Sequence, residues 1–264
     1  MNARDEDKSV VNLSPREPDP RERAALPGDE SKTAPGHSIA LMSETAGALA
    51  PRQLEERRLI HRDESVRTQS DAFREIRTRL LWLGGERNFV TLVVPVSPKS
   101  GGSFVARNLA VAFAFDEAKT SLLVDCNLRY PAQHEALGVA RGSEGLINFL
   151  EQPSIGIKSI IYSTGIPRLR LIPAGSTREN SGEYFSSFRM RAVIDSLRCR
   201  YPDRYLFLDG PAIKGSPDAR ILSELADQVV VVAGYGRDTP AAISQAVASF
   251  DTGKVAGVVF NHAP

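Results

Sequence analysis

The stretch VVPVSPKSGGSFVARNLAVAFAF, residues 93–115, decides the fold. An apolar run stops at a Ser/Pro/Gly turn, and a helical pattern follows at once. That is the layout of a phosphate-binding loop, in which the turn and the helix N-terminus aim backbone N–H groups at an anion. The usual form, G-x-x-x-x-G-K-[ST], gives Lys to the β- and γ-phosphates and a hydroxyl to Mg²⁺. In that register Gly101 is followed by Gly102 where the Lys belongs, and then by Ser103. The turn is present and its lysine is absent.

Outward from this stretch, apolar runs alternate with amphipathic ones. The runs lie at 89–96, 120–125, 168–173, 204–209, 228–233 and 255–261, and they are almost continuously apolar. Strands covered on both faces read that way. Helical stretches fall between them, at 103–115, 145–151, 183–200, 216–226 and 239–250. This alternation predicts an α/β fold with a doubly wound, mostly parallel sheet and right-handed crossovers. Ligands in such folds sit at the carboxyl ends of the strands. Two further runs end there in a carboxylate, Asp125 and Asp209, and the last ends in Asn261. An Asp closing an apolar strand is the arrangement that orients Mg²⁺ or its water. Asn261 carries an amide able to read an adenine edge. Each signal alone also describes a turn or cap residue; their succession on strand ends in order is what gives them weight.

The chain has 264 residues, 42% hydrophobic and 25% charged, enough for one large domain with extensions. Thirty-three basic against 32 acidic side chains give a net charge of +1 and argue against a nucleic-acid protein. Two cysteines, Cys126 and Cys199, fit a reducing compartment and are expected in or near the core. No apolar run is long enough to cross a bilayer, and the N-terminus lacks the apolar segment of a secretory signal. These features predict a cytoplasmic protein. Four scattered histidines offer no metal-ligand spacing.

The domain reading is threefold. Residues 1–52 form a polar tail without aromatic residues, expected to be disordered. Residues 53–88 form a helical extension, and 89–264 the phosphate-loop domain. Within the extension, Phe73, Ile76, Leu80, Leu81 and Leu83 recur at helical spacing. This predicts a helix over 70–82, capped by Ser70 or Asp71, with Trp82 as a packing anchor. Arg189, Arg191, Arg198, Arg200 and Arg204 read as a solvated basic face, or as a patch for an acidic partner.

These motifs together resemble the cytoplasmic kinase domain of bacterial tyrosine kinases (BY-kinases) of exopolysaccharide and capsule synthesis, within the MinD/ParA-like P-loop superfamily. The family's P-G-x-G-K-[ST]-[ST] loop and A-x-N-L-A helix align with Pro98, Lys99, Ser100, Gly101, Gly102, Ser103, Phe104 and with 106–110. Its h-h-D-x-D-x-R-x-P motif aligns with 124–131 and places Asp125, Asn127 and Arg129. Its D-x-P-P motif aligns with Asp209-Gly210-Pro211-Ala212, and its E-x-x-R-x-x-R oligomerisation helix with Asp71, Arg74 and Arg77.

The resemblance implies ATP or ADP with Mg²⁺ as cofactor. It places Lys99 to Phe104, Arg129 and Asn261 around the nucleotide, and Ser103, Asp125 and Asp209 around the metal. Asp125 and Asp209 are the catalytic carboxylates if the chain is active. It also implies a membrane polysaccharide co-polymerase or chain-length regulator, or a kinase subunit, as partner, with a peripheral place at the inner membrane through it.

The departures are as informative. Gly102 replaces the clamping Lys, Lys99 a loop Gly, Phe104 a hydroxyl residue and Asn127 the second carboxylate. The family's tyrosine-rich tail has no counterpart after Tyr235. A charged hydrogen bond to phosphate is worth about 1.5–3 kcal/mol, so losing the Lys weakens binding, and the transition state loses more. Lys99, three residues earlier, is a candidate substitute. The sequence thus points to a catalytically degenerate regulatory or adaptor subunit. The alternatives are an active kinase with an atypical loop and a MinD-like positioning ATPase.

Overall fold

The computed structural model describes residues 48–140, 142–178 and 181–262. Most of the expected polar tail therefore lies outside the described residues. The order is α1 (Pro51–Glu56), α2 (Arg67–Gly84), β1 (Val90–Pro95), α3 (Gly102–Ala114), β2 (Thr120–Asp125), α4 (Gln133–Ala136) and α5 (Leu146–Glu151). Then follow β3 (Tyr162–Ser163), β4 (Leu169–Ile172), α6 (Ser181–Phe185), α7 (Phe188–Arg200) and β5 (Arg204–Asp209). The chain continues through α8 (Asp218–Ser223), β6 (Gln228–Gly234), α9 (Pro240–Val247) and β7 (Val255–Asn261).

The strands form one sheet in the order β3-β4-β2-β5-β1-β6-β7. Every pairing is parallel except the short β3–β4 edge. Because β1 lies between β5 and β6, its own crossover helix α3 leaves from the middle of the sheet. The strands β1, β2, β5 and β6 are buried along their whole length, as the continuous apolar runs require. Two cores result, one on each face. One packs Leu146, Phe185, Met190, Ile194 and Phe250 on the sheet, and the other packs α3 with Phe73, Leu80, Phe89 and Phe113. Rings of Phe89, Phe113, Tyr205 and Phe207 meet edge-on or tilted in the second core, with centroids 4.8–5.9 Å apart.

Several expectations are corrected. The strand β7 is only partly buried, because it is the sheet edge with nothing paired beyond it among the described residues. The extension helix begins at Arg67, so Ser70 and Asp71 lie inside it; Ser70 Oγ instead donates to the His61 carbonyl across the preceding turn. Trp82 is 76% exposed and anchors nothing; Phe73 and Leu80 carry the buried face. The stretch 183–200 is two helices, since Ser187 accepts from the Met190 N–H and caps a new one. Cys126 is buried but Cys199 is exposed. Arg204 is not on a solvated face: it is buried, its guanidinium lying 4.1 Å from the Tyr201 ring centroid.

Candidate functional site

The loop from Val96 to Gly101 leaves the end of β1 and is tied down from the neighbouring strand β6. After β6 the chain turns at Gly234 and brings Asp238 beneath the loop. The Asp238 carboxylate accepts from the hydroxyls of Ser97 and Ser100, the latter at 2.6 Å, and from the Gly234 N–H at 2.8 Å. Partial burial works against ionisation here, but the Ser100 and Ser97 hydroxyls and the Gly234 N–H hold the carboxyl below the usual carboxylate range. From the next strand out, Asn261 at the end of β7 donates its amide to the Ser100 carbonyl at 3.1 Å. Its nitrogen lies so close over Gly101, at φ +93°, that a Cβ there would overlap it. Lys99 takes φ +69°, the left-handed backbone that the aligned glycine supplies freely. Its side chain is exposed.

At Gly102 the first turn of α3 presses against β1. A Cβ on Gly102 would stand 2.5 Å from Pro95 Cδ and 2.9 Å from its Cγ. Position 102 and the end of the strand are thus fitted to each other: a glycine on the helix, and a proline ring in the space beside it.

The carboxylates come together as the strand register requires, Asp125 opposite Asp209 on β2 and β5, both with no exposed surface. Asp125 accepts backbone N–H groups from Asn127, Ala132 and Gln133 at 3.1–3.2 Å as the chain curls back over it. Burial first, and the neighbouring Asp209 second, raise it to about 8 against those donors. Burial likewise raises Asp209, opposed by hydrogen bonds from Gln133 and Ser103 and by the Arg107 charge. Gln133, wholly buried, donates its amide to Asp209 Oδ2 at 2.6 Å and to the Ser103 carbonyl at 3.0 Å. Sequence reasoning passed over Gln133; only the curl that lays α4 on Asp125 brings it there. Asp209 Oδ1 is buried without a hydrogen-bond partner among the described residues. Ser103, Asp125 and Asp209 are therefore a set of oxygens suited to a hard divalent cation, with one carboxylate oxygen spare.

The remaining expected residues lie apart from this cluster. Arg129 is exposed beyond β2, next to Tyr130 at 78% exposure. Phe104 turns away from the carboxylates, against Phe73 of α2 at 6.1 Å between ring centroids. On α2, Arg74 pairs with Asp71 at 2.8 Å on the exposed side, while Arg77 donates to the Ala112 carbonyl of α3 at 2.8 Å within the chain. Asn108, in the A-x-N-L-A segment, is fully buried. It receives the Ile60 N–H at 2.8 Å and donates to the Arg58 and Phe104 carbonyls, fixing the turn before α2.

No family model matches the chain. Among known proteins it is similar to the tyrosine-protein kinase wzc of Salmonella typhimurium, 31% identical over 194 residues, 72% of this chain and 26% of that one. It is also similar to the putative tyrosine-protein kinase CapB of Staphylococcus aureus, 27% identical over 205 residues, covering 76% of this chain and 88% of that one. The chain thus spans about a quarter of the Salmonella relative and most of the staphylococcal one. The kinase domain of Escherichia coli tyrosine kinase ETK superposes with a TM-score of 0.69 at 22% identity, covering 81% of this chain and 86% of that one. The cell division ATPase MinD of Pyrococcus furiosus superposes at 0.54 and 20% identity, covering 67% and 71%. Both likenesses show the same P-loop α/β fold.

Proposed function

The chain is a homologue of the bacterial tyrosine-protein kinases, and from that kinship we propose that it is a catalytically degenerate member acting by binding. In this reading it is a regulatory or adaptor subunit of exopolysaccharide or capsule synthesis, cytoplasmic and docked on a membrane co-polymerase or a kinase subunit. Among the described residues no helix is long and apolar enough to cross a membrane, so membrane attachment in this reading comes through the partner.

The observation that carries the proposal is the Pro95–Gly102 contact. A recently lost lysine would leave room for its return. Here the Pro95 ring stands where a side chain at position 102 would go, which leaves no room for a lysine. The charge that would neutralise a transferring phosphoryl group is missing where it counts most. Bound at Ser103, Asp125 and Asp209, Mg²⁺ would supply charge neutralisation. The residues themselves supply oxygens, with Gln133 holding Asp209 in place. Asn127 cannot serve as a second base, since an amide takes up no proton at neutral pH.

The competing reading, an active kinase with an atypical loop, is favoured by the intact Asp125–Asp209 pair. Phosphotyrosine formation and ATP turnover by the full chain separate the two, measured alone and with a candidate tyrosine-bearing partner. No turnover above that of Asp209→Asn supports the adaptor. Turnover that Asp125→Asn and Asp209→Asn abolish overturns it.

A further inference from the structure

Beside the phosphate loop, on the side away from the carboxylates' strands, α2, α3 and the end of β7 enclose a cleft of about 780 Å³. Its floor is aromatic, with Phe73 and Phe104 in edge contact. Two arginines line it, Arg58 from the turn before α2 and Arg107 from the second turn of α3, the latter also within the field of Asp209.

Neither arginine is placed by chance of a loose surface. Arg58 holds φ +55°, a left-handed conformation that strains a non-glycine residue, and the buried Asn108 amide fixes it by bonding its carbonyl at 3.1 Å. Side chains on a helix lean toward its N-terminus, and Arg107 follows the rule. It reaches back to the Ser103 carbonyl at 3.3 Å and lies 5.5 Å from the Phe104 ring centroid, toward the loop that lost its lysine. Its Nε is buried without a hydrogen-bond partner among the described residues. The one carboxylate on the rim, Glu55, accepts from the Ser65 hydroxyl at 2.9 Å. Two close cations over an aromatic floor, with a spare buried donor, form a cradle for an anion carrying a flat apolar group.

We infer that Arg58 and Arg107 form an anion site that takes the phosphates of a nucleotide in place of the missing lysine, the base lying on Phe73 and Phe104. The inference rests on the reading that Gly102 leaves the loop without its clamp, and it makes the protein a nucleotide sensor rather than an enzyme. Asn261, on the cleft's edge and bonded to the loop at Ser100, links occupancy of the cleft to the loop.

The test is calorimetry on the full chain with ADP and, separately, with pyrophosphate, at low salt because the contacts are ionic. Expected is ADP binding that weakens tenfold or more in Arg58→Gln, an exposed position where folding is not at risk, and in Arg107→Gln. Arg107→Lys should recover part of the loss, and Arg62→Gln, outside the cleft, should change affinity less than twofold. Pyrophosphate binding that is lost in the same variants supports the site with the phosphates carrying it. Binding of ADP alone supports it with the base contributing. No binding of either by the wild type overturns the inference and leaves the adaptor reading standing. Binding that Lys99→Ala abolishes and Arg58→Gln does not would put the anion in the loop and overturn it too. Failure of the adaptor reading shows separately, as turnover that depends on Asp209.

Discussion

The ring of Pro95 occupies the space that a side chain at position 102 would need: a Cβ on Gly102 would sit 2.5 Å from Pro95 Cδ. Strand end and helix start are fitted to each other at this contact. Gly102→Lys alone should therefore overpack the site rather than repair it, costing about 1–3 kcal/mol. Pro95→Ala should relieve most of that in the double variant. A urea-denaturation double-mutant cycle reads the coupling, expected at about 1 kcal/mol or more in the relieving direction. Additive losses would mean that the contact is incidental.

A second expectation concerns Asp125 and pH. Its folded-state value of about 8 stands well above the ordinary carboxylate range. The folded chain thus holds a proton that the unfolded chain releases near pH 4. The stability it contributes is fully present below that value and is lost as pH rises through about 8, with a slope of up to about 1.4 kcal/mol per pH unit for one proton. Asp125→Asn should flatten the stability-against-pH curve over this window and be the more stable form, relative to wild type, at pH 8–9. Parallel curves for the two proteins would contradict the burial argument. Mg²⁺ should raise the wild-type melting temperature at pH 8 and leave Asp125→Asn nearly unchanged.

Gln133 offers a sharper test of how the carboxylates are held. Its amide satisfies Asp209 and the Ser103 carbonyl together in a fully buried place. Removing it leaves a buried carboxylate short of a donor, at a cost of about 1–3 kcal/mol. Gln133→Leu, close in volume, should therefore lose that much by chemical denaturation, although it adds apolar surface. Gln133→Glu should lose more, because it puts a third carboxyl against two. A neutral Gln133→Leu would show that water replaces the amide at no cost.

The contrast between Asp209 and Gln133 marks how far the sequence reaches. Strands β2, β5 and β7 run as their apolar patterns predict, 120–125, 204–209 and 255–261, because each ends in an Asp or Asn where the sheet stops. Asp125 and Asp209 were legible for the same reason, since a parallel register brings equivalent strand ends side by side. Gln133 and Asp238 were not legible. One reaches the site because three backbone N–H groups fold the chain back on Asp125; the other comes from 138 positions beyond Ser100. Trp82 misled because a large aromatic residue near the end of an amphipathic helix reads as core, whereas α2 buries Phe73 and Leu80 and leaves Trp82 outside. Arg204 misled because charge counting overlooks a guanidinium stacked beneath an aromatic ring.

Asp238 is the last of these hidden residues, and its expected behaviour runs opposite in sign to that of Asp125. Hydrogen bonds from Ser100, Ser97 and the Gly234 N–H, outweighing partial burial, hold its carboxyl below the usual range. Its stabilising contribution is therefore present above the unfolded value near pH 4 and is lost as pH falls through the lower folded value. It also closes the loop from below, so the effect should be local before it is global. Asp238→Asn keeps the shape but loses the charge on three hydrogen bonds. It should cost about 1–2 kcal/mol and accelerate amide exchange in residues 97–101 at pH 7. Amides of β1 and α3 beyond the first turn should remain protected as in the wild type. Uniform acceleration across all three segments would show that Asp238 supports the whole sheet edge rather than the loop, and unchanged exchange at Ser100 and Gly101 would show that Asn261 alone holds the loop in place.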